Sequence, residues 1–311
     1  MDELSGGIRR VTLPLPNRPD HVHAYVLPDE DGWTVVDTGL GLPDARERWA
    51  AALSELPGEV RRIFVTHFHP DHVGAAADVA ELTGAPVVQG RLDYEQCELV
   101  WGSDGWADVL VDWFGRHGVP QAVTNELIGQ GAAFEPFIRF QPEPELVEPG
   151  DSVGEWQTVA AAGHADGQLM LVRDGVLVAG DHLLDPITPT VGLWPASRPD
   201  PLADYLAALE ETIALDPTVA LPGHGEPIHD PAGRARELLD HHRLRLESTV
   251  GALADQPRTG YDVSFALFGD DLKPAARRFA VAETLSHLER LVHQGEAKRE
   301  EDDGVVAYTS A

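Results

Sequence analysis

The sequence contains a single cysteine, Cys97, among its 311 residues. A disulfide within the chain and a cysteine-based zinc site are therefore both excluded. Lysine is also scarce, since Lys273 and Lys298 are the only two, and no apolar run approaches the ~20 residues that a membrane-spanning helix needs. The N-terminal residues show no apolar core of a signal peptide. From these absences we expect a cytoplasmic protein.

Basic residues are few compared with acidic ones: the sequence has 23 Lys and Arg and 52 Asp and Glu, which gives a formal net charge of −29. Phosphate backbones and anionic membrane surfaces repel such a chain, so we expect neither a nucleic-acid partner nor a membrane partner. A small molecule is the expected substrate, and a homodimer is compatible with the sequence. The length allows one large domain and one small one.

Alternating apolar and polar residues, separated by Pro, Gly and Asp turns, predict strands in the first 90 residues and again after residue 145. The predicted strands are 8–15, 21–27, 33–36, 60–65, 85–89, 145–147, 157–161, 170–173, 176–179 and 219–221. Helical spacing with Pro or Gly at the ends predicts helices over 43–56, 74–83 and 202–215. The Asp174-Gly175 pair predicts a tight hairpin turn.

Between residues 91 and 140 the strand signals fade and large aromatic residues recur at helical spacing. We predict a mainly helical insertion here. Aromatic residues in this pattern can be core, but we expect Trp101 and Trp106 to line an apolar substrate pocket or a lid.

After residue 230, three predicted helices and a strand pair resemble a winged helix; the helices are 232–254, 261–268 and 274–293, and the strand pair lies within 295–309. A winged helix that binds DNA needs a basic face. The last helix offers Arg277, Arg278 and Arg290, but the turn of the strand pair, residues 300–303, is wholly acidic. We therefore expect this module to cover the active site, contact the substrate or dimerise.

Candidate metal ligands are concentrated in residues 66–72, with the sequence THFHPDH, directly after the strand 60–65. Imidazole and carboxylate groups are the ligands that borderline divalent metals favour. The spacing of two places the rings of His67 and His69 on one side of an extended chain. Asp71 and His72 follow the bend and can serve a second, adjacent ion. Three further candidates, each beside a glycine after a predicted strand, are His164, Asp181 and His224.

The order His-x-His-x-Asp-His, then His, Asp and His, resembles the metallo-β-lactamase-fold hydrolase superfamily over about residues 8–230. The resemblance implies an α+β fold, a four-layer αββα sandwich with metals at one edge. It implies a catalytic domain over 1–230, with the insertion at about 91–140, followed by the winged-helix-like domain over 231–311. By position, the first metal would be held by His67, His69 and His164, the second by Asp71, His72 and His224, and both by a bridging Asp181.

This ligand set implies two divalent ions, with zinc favoured and iron or manganese as alternatives. A hydroxide bridging the ions would be the nucleophile, because metals lower the pKa of bound water toward neutrality. We expect Asp71, Asp181 and His182 to be catalytic, His182 as a general acid or substrate contact; the alternative for His182 is a packed position behind the ligands. We expect Asp37, which follows a predicted strand, to orient a metal-binding histidine.

One position departs from the glyoxalase II pattern within the superfamily. Many thioesterases there carry a second histidine four residues after the position of His164, where this chain has Gln168, which donates a hydrogen bond but does not titrate. We expect Gln168 to contact the substrate. A branch with a similar C-terminal module includes acyl-thioester hydrolases and ribonucleases. The leading prediction is hydrolysis of a small-molecule thioester or related carboxyl ester; a ribonuclease or phosphodiesterase, a lactonase and a β-lactamase are the alternatives.

Overall fold

Two mixed β-sheets form the centre of the larger, N-terminal part of the protein. The computed structural model describes residues 1–30, 32–253 and 256–311. The first sheet has seven strands that lie side by side in chain order, antiparallel from β1 to β4 and parallel from β4 to β7. These strands are Asp2–Glu3 (β1), Arg9–Pro14 (β2), His21–Asp29 (β3), Gly32–Val36 (β4), Val60–Val65 (β5), Val87–Gly90 (β6) and Glu145–Val147 (β7).

The second sheet has five strands, Ser152–Val153 (β8), Trp156–Ala160 (β9), Leu169–Arg173 (β10), Val176–Gly180 (β11) and Val219–Pro222 (β12). Their order across the sheet is β12-β11-β10-β9-β8, and only β11 and β12 run parallel. The turn between β10 and β11 has positive φ at both Asp174 (50°) and Gly175 (79°). This left-handed pair confirms the predicted hairpin turn.

The two sheets face each other across an apolar core. Leu27, Val36 and Phe64 of the first sheet are buried in one cluster with Leu171 and Val178 of the second. Side chains alternate between the two faces of a strand, so each sheet also has an outer apolar face that needs a cover.

Helices supply that cover on both sides. The helices of this part are Ala45–Leu53 (α1), Pro70–Val73 (α2), Ala76–Thr83 (α3), Pro201–Leu215 (α7) and Pro231–Ala252 (α8). Trp49 of α1 and Val79 of α3 are buried against the first sheet, and Leu209 of α7 and Leu238 of α8 against the second. The resulting helix–sheet–sheet–helix order confirms the predicted αββα sandwich.

The insertion is helical, as predicted. It contains Arg91–Cys97 (α4), a π-helical turn at Glu98–Gly102, Trp106–Arg116 (α5), Gln121–Ala132 (α6) and a 3₁₀ turn at Glu135–Phe137. Leu110 and Phe114 of α5 are buried in one cluster with Val281, Leu285 and Tyr308 near the C-terminus. The insertion and the C-terminal residues therefore share a core.

The C-terminal residues add Gly260–Phe268 (α9), Pro274–Gln294 (α10) and a three-stranded sheet of Arg258–Thr259 (β13), Ala297–Asp302 (β14) and Val305–Ser310 (β15). Strand β15 lies between β13 and β14. The third strand, β13, is additional to the predicted strand pair, and the predicted helix end at Ala254 lies outside the described residues. No helix in the described ranges is long and apolar enough to cross a membrane.

Candidate metal centre

The predicted ligands all follow strands that end at one edge of the sandwich. His67 and His69 follow β5 of the first sheet, whereas His164, Asp181 and His224 follow β9, β11 and β12 of the second. Pro70 then begins the short helix α2, which carries Asp71 and His72 in its single turn. Loops from both sheets therefore bring their polar side chains to the same place.

The seven side chains fall into three overlapping groups. Within each group, the nitrogen and oxygen atoms that could ligate a metal lie within 4.8 Å of one another. The groups are His67, His69 and His164; Asp71, His72 and His224; and His67, His72 and Asp181. The first two groups are the two sets of three that the resemblance implied.

Asp181 lies between the two sets. Its Oδ2 is 3.5 Å from Nε2 of His164 and 3.5 Å from Nε2 of His224, and its Oδ1 is 3.3 Å from Nε2 of His72. Nε2 of His224 is also 3.3 Å from Oδ2 of Asp71. A carboxylate within reach of both sets is what a ligand shared by two ions requires.

Several inward-facing atoms of this cluster have no hydrogen-bond partner among the described residues. Nε2 of His72, Nε2 of His164 and Oδ1 of Asp181 are all buried and unpaired there. Buried polar atoms are otherwise almost always hydrogen-bonded. A divalent ion that accepts imidazole nitrogen and carboxylate oxygen would satisfy all three atoms, so these residues fit a metal centre.

Asp37 holds the first-sheet ligands from behind. It lies just past β4 with a left-handed φ of 60°. Its carboxylate accepts hydrogen bonds from the backbone N–H of Thr66 (2.8 Å), the Thr66 hydroxyl (2.9 Å) and Nδ1 of His72 (2.8 Å). The Thr66 hydroxyl also lies 3.0 Å from Nδ1 of His67. These contacts leave Nε2 of both histidines directed toward the cluster.

Backbone carbonyls orient the second-sheet histidines. Nδ1 of His164 lies 2.8 Å from the carbonyl oxygen of Thr190, and Nδ1 of His224 lies 2.7 Å from that of His21. A carbonyl only accepts, so each Nδ1 carries a proton, and in the neutral ring each Nε2 then presents a lone pair. The sequence offered no signal for Thr190 or His21, because a backbone acceptor does not depend on residue type.

The electrostatics differ between the two sets. Burial lowers the pKa of His67 well below its usual value and that of His69 to about 3. Burial also lowers the pKa of His164. Burial acts the same way on His72 and His224, but the neighbouring carboxylates, Asp181 foremost, raise the pKa of His72 well above its usual value and that of His224 to about 10. Neutral imidazole is the form that ligates metals.

The buried carboxylate of Asp93, which was not predicted from the sequence, also holds the ligand loop, the segment that carries His67 and His69. Oδ1 of Asp93 accepts from the backbone N–H of Phe68 (2.9 Å), and its Oδ2 accepts from Nε2 of Gln89 (2.6 Å). Burial raises the pKa of the Asp93 carboxyl to about 7. Trp101 donates its indole N–H to the carbonyl of the same Phe68 (2.8 Å). The residue between two ligands is therefore fixed at both its backbone groups.

Gln168 lies behind the cluster and is 1% exposed. Its amide donates to the carbonyl of Ala179 (3.0 Å), at the end of β11 and two residues before Asp181. The Cβ position of Gly180 lies 3.2 Å from that same amide nitrogen. These contacts support the strand that carries Asp181; the substrate contact of Gln168 stays a prediction.

His182 does not join the ligand cluster. It is fully buried, with Nε2 2.8 Å from the hydroxyl of Thr212 in α7 and its ring edge-on to Tyr205 at 5.6 Å. Burial lowers its pKa to about 3. The structure therefore places His182 on the helix side of the second sheet, which is the packed position that the sequence left as the alternative.

The two tryptophans predicted to contact substrate occupy different surroundings. Trp101 packs against the core under the first sheet and, through Phe68, contacts the ligand loop. Trp106 packs instead against the core shared by the insertion and the C-terminal residues. Of these two side chains, Trp101 is thereby the one connected to the candidate metal centre.

Comparison with known proteins agrees with this architecture. A family model described as the metallo-beta-lactamase superfamily matches residues 17–224, and one described as a metallo-beta-lactamase-like C-terminal domain matches residues 246–311. A probable metallo-hydrolase of Bacillus subtilis, YqjP, is 26% identical over 302 residues, covering 90% of this chain and 91% of the relative.

Two solved structures are similar over nearly the whole chain. A metallo-beta-lactamase family protein of Thermus thermophilus is 32% identical with a TM-score of 0.86, covering 98% of this chain and 99% of the other. A beta-lactamase domain protein from Burkholderia ambifaria is 31% identical with a TM-score of 0.88, covering 100% of this chain and 94% of the other. With the first model matching well over half of the sequence, this chain belongs to the metallo-beta-lactamase superfamily.

Proposed function

We propose that the protein is a dinuclear metal-dependent hydrolase of a small-molecule thioester or related carboxyl ester. The observation that carries this proposal is the position of Asp181 between two sets of three ligands, with its Oδ2 3.5 Å from Nε2 of both His164 and His224. One ion would be held by His67, His69 and His164, and the other by Asp71, His72 and His224, with Asp181 shared. When bound, such ions lower the pKa of water and polarise the carbonyl that is attacked.

The chain's own residues supply orientation and a proton acceptor. Asp37, Thr190 and the carbonyl of His21 hold the histidine rings with Nε2 inward. The side chain of Asp71 is 22% exposed, more than those of His72, Asp181 and His224, so it faces the incoming substrate. We assign the Asp71 carboxylate to accept the proton of the attacking water.

The placement of His182 favours a thioester among the candidate substrates. An alkoxide or amine leaving group needs a proton donor, and with His182 turned toward Thr212 that proton would have to come from Asp71 after it has accepted the proton of the attacking water. A thiol with an ordinary pKa of about 8.5 leaves as the thiolate without such a donor. The net charge of −29 disfavours a polyanionic substrate such as RNA.

A panel of substrates tests this function. Purified protein would be given an aryl thioester, a lactone, a chromogenic cephalosporin and a phosphodiester, with and without a chelator. We expect thioester hydrolysis that the chelator abolishes, about two metal ions per chain, and a loss of at least about a hundredfold in His67→Ala. His293→Ala, an exposed histidine of α10, is the matched control.

Two outcomes contradict the proposal in different ways. Phosphodiester cleavage without thioester hydrolysis would overturn the substrate class and leave the metal centre standing. Thioester hydrolysis that survives both chelation and His67→Ala would overturn the metal mechanism. A metal content of one ion per chain would remove the shared role of Asp181.

A further inference from the structure

Three arginines of α10 stand out in this acidic chain, and two of them have partners. Arg277 donates to the hydroxyl of Ser264 (3.2 Å) and to the carbonyl of Gly269, and Arg290 pairs with Asp200 (3.1 Å). Arg278 differs from both. Its Nε is buried and unpaired, as is that of Arg290, but Arg278 has no ion pair or other hydrogen bond in the described part of the chain, and burial lowers its pKa to about 10.

Arg278 has no acidic partner among the described residues, although acidic residues outnumber basic ones by 52 to 23. Its Nε is shielded from water and unpaired there, and an unpaired buried donor costs stability. The half-buried guanidinium therefore has N–H groups free to bind an anion that arrives with a ligand.

Aromatic rings form the immediate surroundings of Arg278. Its Cζ lies 4.8 Å from the ring centre of Phe279 and 5.6 Å from that of Trp194. Trp194 stacks on Trp113 of the insertion at 5.9 Å and meets Phe279 edge-on at 6.0 Å. Phe279 is 43% exposed, so this aromatic group, Trp113, Trp194 and Phe279, is open to solvent on one side.

A short segment connects these rings to the metal centre. The carbonyl of Thr190 lies 2.8 Å from Nδ1 of the ligand His164, and four residues later Trp194 contacts Arg278. Between them, Leu193 donates its backbone N–H to the carbonyl of Ala282 (3.0 Å), which lies one turn after Arg278 on α10. Four residues span at most about 14 Å, so one ligand of ordinary size can reach both places.

We propose that Arg278 binds a carboxylate or phosphate group of the substrate, while the apolar part of that substrate packs on Trp194 and Phe279. Arginine recognises both anions through parallel N–H···O hydrogen bonds. This inference rests on the proposed hydrolase function and narrows its substrate to an anionic small molecule. It also gives the C-terminal module a role, since α10 then supplies the residue that selects the substrate.

Matched thioesters provide the test, each with the same acyl group and with a terminal carboxylate, a phosphate or a neutral amide on the thiol. With the metal-loaded full-length protein, Arg278→Gln should raise KM for the anionic thioesters by about tenfold to a hundredfold and leave kcat nearly unchanged. The neutral thioester should be unaffected. Comparing the carboxylate and phosphate arms then shows which anion is preferred.

Two further variants keep the result interpretable. Arg278→Lys retains the charge and should recover part of the affinity for the anionic thioesters. Lys298→Gln removes one positive charge from an exposed position on β14 and should change nothing. Equal losses on charged and neutral thioesters in a folded Arg278→Gln protein, or no loss on either, would overturn the inference.

The inference can fail separately from the proposed function. If the wild-type protein hydrolyses no thioester, calorimetric titration of the metal-loaded protein with benzoate, phenyl phosphate and neutral benzamide still tests Arg278. Binding of either anion that Arg278→Gln removes, with benzamide unaffected, supports the anion site. Binding that is the same in both proteins, or no binding of either anion, contradicts it.

Discussion

Asp37 and His72, 35 positions apart in the chain, are joined by a 2.8 Å hydrogen bond from Nδ1 of the imidazole to the carboxylate. The same carboxylate binds the N–H and the hydroxyl of Thr66, the residue before the first ligand. One side chain thus fixes ligands of both candidate metal sets. The first two predictions below follow from such supporting contacts.

Replacement of Asp37 by Asn should weaken metal binding by about tenfold to a hundredfold. Asn is chosen because it tolerates the left-handed backbone at this position, where φ is 60°. Its amide keeps one acceptor oxygen in place of two, so the Thr66 N–H on Oδ1 and the two groups on Oδ2, the Thr66 hydroxyl and Nδ1 of His72, cannot all be held. Titration against a competing chelator measures the affinity. Glu47→Gln, an exposed acid on α1, is the control, and equal affinities in the two variants would show that Asp37 does not orient the ligands.

Replacement of Asp93 by Ala should lower the free energy of unfolding by about 1–3 kcal/mol, because it leaves the backbone N–H of Phe68 without its acceptor. The ligand loop should also bind metal less tightly. Urea unfolding with and without chelator separates the two effects. If the loss is the same in both conditions, Asp93 contributes to folding alone.

Replacement of Gly223 by Ala should reduce activity by at least about tenfold, because the added Cβ would lie 2.7 Å from Cε1 of His72 and would also collide with Oδ1 of Asp181. Hydrolysis rate and metal content both report the effect. Gly115→Ala is the matched control, since beyond its chain neighbours and the backbone of its own helix α5 no atom of the described residues lies within 4 Å of its Cβ position. There the added methyl should raise stability by about 0.5–1 kcal/mol.

Acid should destabilise the junction between α8 and α10 through two buried histidines. Nδ1 of His242 lies 3.2 Å from Nε2 of His287, and burial lowers the pKa of His242 to about 2 and that of His287 to about 4. The groups around the pair are His241 and Arg245 on α8, Glu283 on α10 and Tyr205 on α7.

The sign follows from the unfolded state, which takes up these protons below pH 6.5, whereas the folded state does not. The stability of wild type relative to His242→Gln should therefore fall as pH falls, by up to about 1.4 kcal/mol per pH unit. Urea unfolding of both proteins at pH 7 and pH 5 measures the difference. His293→Gln, on the exposed part of α10, is the control; a difference independent of pH would contradict the assignment.

Local sequence signals predicted the strands that carry the site. The predicted bounds of β5, 60–65, and β7, 145–147, are those observed, since each is a short run bounded by turn residues. Strands β8 and β13 were missed because two residues are too few to show an alternating pattern. The seven candidate ligands were predicted from histidine and aspartate positions next to glycine or strand ends; the structure brings their side chains together, and their metal binding stays a prediction.

The directions of the side chains that pack behind the ligands were harder to predict from the sequence. Asp181 and His182 lie in a turn that is closed by a hydrogen bond from the His182 N–H to the carbonyl of Ala179, and this turn directs His182 toward α7 while Asp181 faces the cluster. The role of Asp93 depends on a contact with Phe68 between distant parts of the fold. Likewise, Arg277, Arg278 and Arg290 are equivalent in the sequence, and only tertiary structure distinguishes the two with partners from Arg278.

The distribution of ligands over both sheets also constrains how the protein is made. His224 is synthesised 157 positions after His67, a delay of roughly 8–30 s at ordinary translation rates. During that interval the nascent chain exposes a histidine-rich segment that can bind metal only incompletely. If the proposed centre forms, its completion would follow the docking of the second sheet on the first, and metal uptake would be a late event in folding.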